Sequence, residues 1–232
     1  MIKYLLVFVA IIGIGYIFLP FVMEFSTPTK LNPLATSYVQ GSVNELNMPN
    51  VVTAIVVTYR GLDTLGEVTV LFLATAGVGF LLKRKHDMVN HRRKCSEILC
   101  TGASLLTPLI VLFGVYIFAH GHLSPGGGFQ GGVVIASGFL LLVMANISFH
   151  FSHNLIHFSE SISGFIYVLL GLAGLVLLGA NSFLDPRYLP AGKWLDIVST
   201  GAVPIIYSII GIKGGSELCS VIDSLQHGGT EL

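Results

Sequence analysis

The sequence predicts an all-α integral membrane protein with about six transmembrane helices and one broken or re-entrant segment. Of its 232 residues, 53% are hydrophobic and only 10% are charged, and the mean hydropathy is +0.81. These values lie well outside those of ordinary soluble domains. No ten-residue alternation typical of a membrane β-barrel is visible, and an α-helix satisfies its own backbone in lipid, so helices are expected throughout.

Six apolar runs are each about 20 residues long, which is the length needed to cross a bilayer. The first run resembles a secretory signal, but it is longer than one and no small-residue cleavage site follows it, so we expect a retained helix. The predicted spans are Ile2 to Val22, Thr64 to Leu82, Ile98 to Ala119, Phe129 to Ile147, Ile162 to Ala180 and Trp194 to Ile212.

The segment from Val51 to Leu82 is too long for one transmembrane helix. As a single helix it would measure about 48 Å at roughly 1.5 Å per residue, whereas the hydrocarbon core is about 30 Å thick. A glycine among charges, in the sequence Arg60 to Asp63, predicts the break. We therefore expect a broken or re-entrant segment near Val51 to Asp63, which needs protein or a water-filled cavity around it.

Positive charge is concentrated between the second and third spans, which predicts the orientation. Half of the twelve Lys and Arg residues lie there: Lys83, Arg84, Lys85, Arg92, Arg93 and Lys94. By the positive-inside rule this loop is cytoplasmic. An even number of spans then places both termini in the cytoplasm of a cell-membrane protein, which suits Lys3 and Lys213. Topology alone explains the loop, and binding of anionic lipid is the alternative.

The basic loop also predicts the organisation of the chain. We expect a unit of two spans at residues 1–85, a basic cytoplasmic linker at residues 86–97, and a unit of four spans at residues 98–232.

Glu67 is the strongest candidate for a functional residue in the first unit because it lies inside the second span. Asp63 precedes it by four residues and Arg60 by seven, so helical geometry would place all three on one face. Ionisable residues inside a membrane commonly mark proton or ion routes. The alternative is that Arg60 and Asp63 are interfacial and that Glu67 caps or pairs near the helix start. The residues alone leave both explanations open.

A glycine-rich loop, HGHLSPGGGFQGG, joins the third and fourth spans at His120 to Gly132. Glycine at this density permits unusual backbone dihedrals and close helix approach. Gly128, Gly132 and Ala136 recur every four residues and predict a flat stripe for helix packing. Pro125 ends the extended part of the loop, and Phe129 follows it at the start of the span.

His120 and His122 are the titratable residues of this loop. Two imidazoles offer too few ligands for zinc, and no cysteine or carboxylate lies beside them. They act either as a hydrogen-bonded clamp on the loop or as a protonatable gate at the mouth of an ion route. A second group, His150, His153 and His157, has helical spacing and is expected to pack at headgroup level instead of binding a metal.

No residue pattern predicts a cofactor, a metal site or covalent catalysis. The three cysteines, Cys95, Cys100 and Cys219, lack metal-site spacing and are expected to be free thiols. We find no catalytic elbow, phosphate-binding loop or nucleic-acid patch in the sequence. An enzyme acting alone is therefore not predicted.

Two motifs resemble a known family. HGHLSPGGGFQGG, with the four spans around it, closely resembles the MnhB domain, the B subunit of Mrp-type multisubunit sodium/proton antiporters. The block NVVTAIVVTYRGLDTLGEVTVLF, Asn50 to Phe72, resembles the C-terminal membrane portion of their large A subunit. An A-tail unit followed by a B unit in one chain is similar to the fusion found in membrane-bound hydrogenases and related complexes.

The resemblance implies a role and partners. The chain would be a subunit of an Mrp-type antiport module, freestanding or attached to a redox enzyme. It would contact other Mrp-type subunits or hydrogenase-like subunits, the lipid bilayer, Na+ and H+. Arg60 and Glu67 match functionally important positions of the A block, and His120 or His122, Pro125 and Phe129 match those of the B motif.

From the resemblance we expect Glu67 to load a proton or coordinate sodium on a route lined by Arg60 and Asp63, and the glycine loop to set close packing to adjacent subunits. The alternative is a structural scaffold subunit that carries no ion.

Overall fold

The computed structural model describes residues 2–23, 30–82, 95–146, 149–179 and 183–227, and every regular element in these ranges is helical. Six of these helices are long and apolar enough to cross a membrane, which confirms the predicted all-α polytopic class. The helices are α1 (Ile2–Met23), α2 (Pro33–Asn44), α3 (Val51–Thr53), α4 (Gly61–Leu82), α5 (Glu97–Ala119), α6 (Gly128–Ala145), α7 (His153–Leu178) and α8 (Val203–His227).

The chain forms two compact units, Met1–Ser37 and Tyr38–Leu232. The first contains α1 and the beginning of α2. In the second, α8 packs against α4, α5, α6 and α7. Half of the membrane-length window of α8 is buried, compared with 6% for α4. The last helix is therefore the centre of the second unit, although its mean hydropathy is the lowest of the six spans.

The segment before α4 is broken, within the predicted range. The amide oxygen of Asn50 caps α3, which continues as a π-helix over Ala54–Tyr59. Arg60 leaves helical geometry at φ −125° and ψ 38°, and α4 starts at the next residue. The Thr64 hydroxyl donates to the Val56 carbonyl across the break at 2.7 Å. This bond replaces part of the helical pairing that the break removes.

The predicted bounds of the last two spans are wrong. The fifth begins at His153 instead of Ile162, and the sixth is Val203–His227 instead of Trp194 to Ile212. The apolar residues of 194–202 form turns, with Leu195 and Gly201 at positive φ. Beyond Ile212, α8 continues through Lys213, which the sequence analysis had assigned to the cytoplasmic end. Charge normally marks the end of a span, but this charge is paired inside the protein.

Some predictions fall outside the described residues. The six basic residues of the predicted cytoplasmic loop all lie within residues 83–94, which the structure does not describe. The same holds for Ile147 and Ala180, the predicted ends of the fourth and fifth spans. The described α6 ends at Ala145 and α7 at Leu178.

The glycine stripe of α6 lies against α8 of the same chain. A Cβ added to Gly132 would lie 2.7 Å from the carbonyl oxygen of Gly211 and 2.8 Å from the amide nitrogen of Gly215. A Cβ on Gly128 would lie 2.6 Å from the Cβ of Ile210, and Ala136 is buried. Backbones this close require the absence of side chains. The stripe therefore has its packing partner within the chain.

Candidate functional site

Asn50 joins the start of α3 to the glycine loop. Its side-chain oxygen accepts hydrogen bonds from the backbone amides of Val52 and Thr53. Its side-chain NH2 donates to the carbonyl oxygens of Gly121 at 2.8 Å and Ser124 at 2.9 Å. One amide side chain thus caps a helix and holds the loop. The two motifs that carried the family resemblance are bonded to each other here.

A second chain of hydrogen bonds reaches this point from α8. The buried Thr53 hydroxyl donates to the carbonyl of Gly121 at 2.6 Å, and the Tyr207 hydroxyl donates to Thr53 Oγ1 at 3.0 Å. The backbone amide of Asn50 also donates to the carbonyl of His122 at 3.2 Å. The loop is therefore bonded directly to Asn50 and Thr53, the cap and the last residue of α3, and it is linked to α8 through the bond between Tyr207 and Thr53.

The two loop histidines occupy different environments. His122 is fully buried; its Nε2 lies 3.4 Å from the carbonyl oxygen of Asp196, to which it can donate. Its Nδ1 has no hydrogen-bond partner among the described residues. Burial lowers the pKa of His122 below its ordinary value. His120 instead stacks on Tyr116, with ring centroids 4.3 Å apart.

The remaining loop residues differ in exposure. Pro125 is exposed. Phe129 is partly buried against the main core cluster and contacts α8, because a Cβ on Gly214 would lie 3.2 Å from its ring. This ring also lines a cavity beside α4.

Glu67 forms part of the wall of that cavity. The cavity is lined by Glu67, Leu71, Phe129, Val133, Gly214 and Leu218. The Glu67 side chain is exposed on this chain, and within the described residues it forms no hydrogen bond or ion pair. Its carboxylate is close enough to the buried phenols of Tyr167 and Tyr207 to interact electrostatically with both. The Tyr167 hydroxyl is buried and has no hydrogen-bond partner in the described part of the chain.

Arg60 and Asp63 form an ion pair with each other at the helix break. Their side chains are 61% and 51% exposed, so the pair contributes little to stability. The three residues that the sequence placed on one face therefore do not form one charge cluster. Asp63 is the counter-ion of Arg60, and Glu67 stands apart, one helical turn further along α4.

A buried ion pair in α8 was missed by the sequence analysis. Lys213 Nζ lies 2.6 Å from Glu217 Oε1, and the two side chains are 7% and 0% exposed. The ring of Phe72 in α4 faces Nζ, with its centroid at 5.1 Å. The i,i+4 spacing of the two charges was a usable signal, but the predicted span ended at Ile212.

Titratable side chains also lie where α7 begins and α8 ends. His153 Nδ1 is 3.6 Å from Asp223 Oδ2, and His157 Nδ1 is 3.7 Å from Glu160 Oε2. The two imidazole centroids are 4.2 Å apart. Each histidine of this pair therefore has a carboxylate within reach.

Asp185 organises the loop between α7 and α8 and was also missed. Its buried carboxylate accepts hydrogen bonds from Arg187 Nη2 at 2.6 Å and Nε at 2.9 Å. It also accepts the backbone amide of Arg187. The hydrogen bond to this carboxylate raises the pKa of Arg187. The only sequence signal was the Asp-Pro-Arg turn itself.

The His, Cys, Asp and Glu side chains of the described ranges are not clustered in threes. No group of three or more His, Cys, Asp or Glu side chains in them lies close enough to hold a metal ion. The thiols of Cys95, Cys100 and Cys219 are free.

Two family models match the chain. Residues 98–217 match the domain related to the MnhB subunit of Na+/H+ antiporter, and residues 3–93 match MbhE, a subunit of MBH. An uncharacterized protein of Methanocaldococcus jannaschii is 30% identical over 215 residues, covering 79% of this chain and 81% of that protein.

Two solved structures have the same fold. A chain of the membrane-bound sulfane sulfur reductase, an archaeal respiratory membrane complex, is 40% identical with a TM-score of 0.80, covering 97% of this chain and 98% of that one. A chain of the Mrp complex from Dietzia sp. is 26% identical with a TM-score of 0.75; the match covers 98% of this chain but only 26% of that one.

These matches confirm the resemblance that the two sequence motifs indicated, including its similarity to both Mrp and membrane-bound respiratory complexes. The similar proteins are subunits of multisubunit membrane assemblies, which implies other subunits as partners. The chain belongs to the family of the domain related to the MnhB subunit of Na+/H+ antiporters, as a multi-pass membrane subunit of the Mrp type.

Proposed function

We propose that this chain is a membrane subunit of an Mrp-type cation/proton antiport module and that Glu67 carries a proton or sodium ion on its route. The module is either freestanding or attached to a redox-driven complex. The supporting observation is a carboxylate on a membrane-length helix that borders a cavity and lacks an ion-pair partner among the described residues. The chain itself performs no covalent chemistry and needs no cofactor.

The exposure of Glu67 supports a role between subunits. A carboxylate facing lipid is costly, and Glu67 is exposed on this chain alone. In the assembled complex a neighbouring subunit therefore covers it, and the cavity beside Phe129 forms one wall of the route. The helix break places Arg60 and Asp63 at one end of α4, where their exposed pair lines the entrance.

The described contacts favour a positioning role for His122. The buried His122 holds the loop through Asp196, and its low pKa keeps the ring neutral near pH 7. His120 remains the accessible imidazole at the mouth of the route. This assigns the clamp to His122 and leaves the gate to His120.

The orientation follows from the basic loop. We propose that residues 83–94 face the cytoplasm and that both termini do so as well. With six spans, the glycine loop and the helix break then lie on the outer side of the cell membrane. The His153 end of α7 and the Asp223 end of α8 lie on the cytoplasmic side.

A scaffold without ion transport is the second candidate, and the glycine contacts of α6 favour it. Gly128 and Gly132 lie against α8, so much of the motif is explained by folding of the chain. A scaffold predicts that Glu67 can be neutralised without effect on transport.

The test is transport by the assembled complex reconstituted in liposomes. Glu67→Gln keeps the shape of the side chain and removes its charge and proton. We expect normal assembly and loss of sodium-dependent proton movement. The matched control is Glu97→Gln, which makes the same change at an exposed glutamate in the first turn of α5. Full transport by an assembled Glu67→Gln complex would refute the ion-carrying role and support the scaffold.

A further inference from the structure

The ion pair between Lys213 and Glu217 lies deep within a membrane-spanning helix. Along α8 the two residues are about 15 Å and 21 Å from Val203 at roughly 1.5 Å per residue. Both positions fall within a hydrocarbon core about 30 Å thick. Both side chains are also at least nine-tenths buried inside the protein.

The neighbouring helices make room for the pair. Gly164 of α7 leaves space for the lysine, because a Cβ there would lie 3.4 Å from Lys213 Cε. On α4 the ring of Phe72 faces the ammonium group. A buried ion pair is weak support for stability, since apolar residues of similar volume often serve as well. Its position at membrane depth instead suggests a functional role.

The Glu217 carboxylate is incompletely satisfied. Oε1 contacts Lys213 Nζ, whereas Oε2 is fully buried and has no hydrogen-bond donor among the described residues. A carboxylate oxygen without a donor in a low-dielectric site is a natural proton acceptor. The nearby ammonium group opposes binding of a second cation at the same oxygens, so a proton fits this site better than sodium.

Other titratable groups connect Glu217 to the end of the helix pair. Glu160 of α7 is close enough to Glu217 for their charges to interact, and His157 lies beside Glu160. The next pair toward the end of α8 is His153 with Asp223.

The other helices against α8 add few titratable groups. The α6 sequence contains none, and the α5 sequence contributes Glu97 in its exposed first turn, Cys100, Tyr116 and no other ionisable residue. On α4, Glu67 shares its cavity with Gly214 and Leu218 of α8. Glu67 therefore lies beside the same turn of α8 that carries the Lys213–Glu217 pair.

We propose that Glu217 is a second proton-carrying site of this subunit, loaded through His157 and Glu160, with Lys213 as its counter-ion. The proposal rests on the proposed antiport function. In the loading step an O–H bond of protonated Glu160 breaks and an O–H bond forms at Glu217 Oε2, while Lys213 keeps its own protons. Protonated Glu217 then releases the ammonium group from the pair and passes its proton toward the Glu67 cavity.

Neutral replacements in the assembled complex test this assignment. Glu217→Gln, and the double variant Lys213→Gln with Glu217→Gln, remove the transferable proton, and the double variant leaves no buried charge unpaired. We expect both to lose sodium-dependent proton movement in liposomes, with Glu97→Gln unchanged. Transport by the assembled double variant would overturn the proposal. If the single variant does not assemble, the double variant decides.

A conservative replacement separates proton transfer from a structural role. Glu217→Asp keeps a carboxyl group on a side chain one methylene shorter, so we expect it to restore part of the sodium-dependent proton movement that Glu217→Gln loses. An assembled but inactive Glu217→Asp complex would overturn the proposal. The Glu67 variant is measured separately. If transport is lost in Glu217→Gln but retained in Glu67→Gln, only the Glu67 route is refuted. If transport is lost in Glu67→Gln but retained in Glu217→Gln, only the Glu217 site is refuted.

Discussion

Replacement of Asn50 measures how strongly the two family motifs are bonded together. In Asn50→Ala the side chain loses two donated hydrogen bonds, to Gly121 and Ser124, and the cap of α3. Each hydrogen bond contributes about 1 kcal/mol net, and a helix cap contributes about 1 kcal/mol. We therefore expect the free energy of unfolding to fall by about 3 kcal/mol.

A second variant separates the two contributions. Asn50→Asp keeps the acceptor that caps α3 but replaces the NH2 group by an oxygen that faces two carbonyl oxygens and is repelled by them, so at least about 2 kcal/mol should be lost. Equilibrium unfolding of the purified chain in mixed detergent micelles measures these differences. The control is Asn32→Ala, which removes the cap bond to the Ala35 amide. An Asn50→Asp chain as stable as wild type would refute the reasoning.

Three further predictions concern packing, pH and the Asp185 loop. Gly132→Leu should prevent folding of the chain, because even a Cβ would lie 2.7 Å from the carbonyl oxygen of Gly211. Gly79→Leu should fold, since an added Cβ there has nothing within 4 Å. The yield of folded protein purified in detergent compares the two variants. Because the pKa of His122 is lowered from 6.5, the unfolded chain binds more protons below that pH, so stability should fall as the pH drops through about 6.5. His122→Asn should flatten this pH dependence, and an unchanged slope would contradict the assignment. Asp185→Asn weakens the bidentate bond to Arg187, and a loss of about 1 to 3 kcal/mol in unfolding free energy is expected.

The sequence predicted the class and the first four spans because each of their runs is about 20 residues long and carries at most one charged residue. The break before α4 was also predictable, since Val51 to Leu82 exceeds the membrane thickness and Gly61 follows a charge. The last span was misplaced for a physical reason. Hydropathy treats Lys213 as the end of a span, but the i,i+4 contact with Glu217 inside the protein makes both charges compatible with a central helix.

Candidate site residues were harder to predict because pairing depends on tertiary contacts. Helical spacing put Arg60, Asp63 and Glu67 on one face, but spacing alone did not decide which of the two carboxylates is the counter-ion of Arg60. The different burial of His120 and His122 depends on the turns around Asp196, far along the chain. The spacing of the small residues predicted the stripe of α6, but only the structure shows that α8 packs against it.

Isolation of this chain from native membranes tests the central claim most directly. An affinity-tagged chain, purified in mild detergent, should bring with it other Mrp-type antiporter subunits in stoichiometric amounts, with or without subunits of a redox complex. The chain alone in liposomes should not exchange sodium for protons. Purification of the chain as a single species that transports by itself would contradict the account.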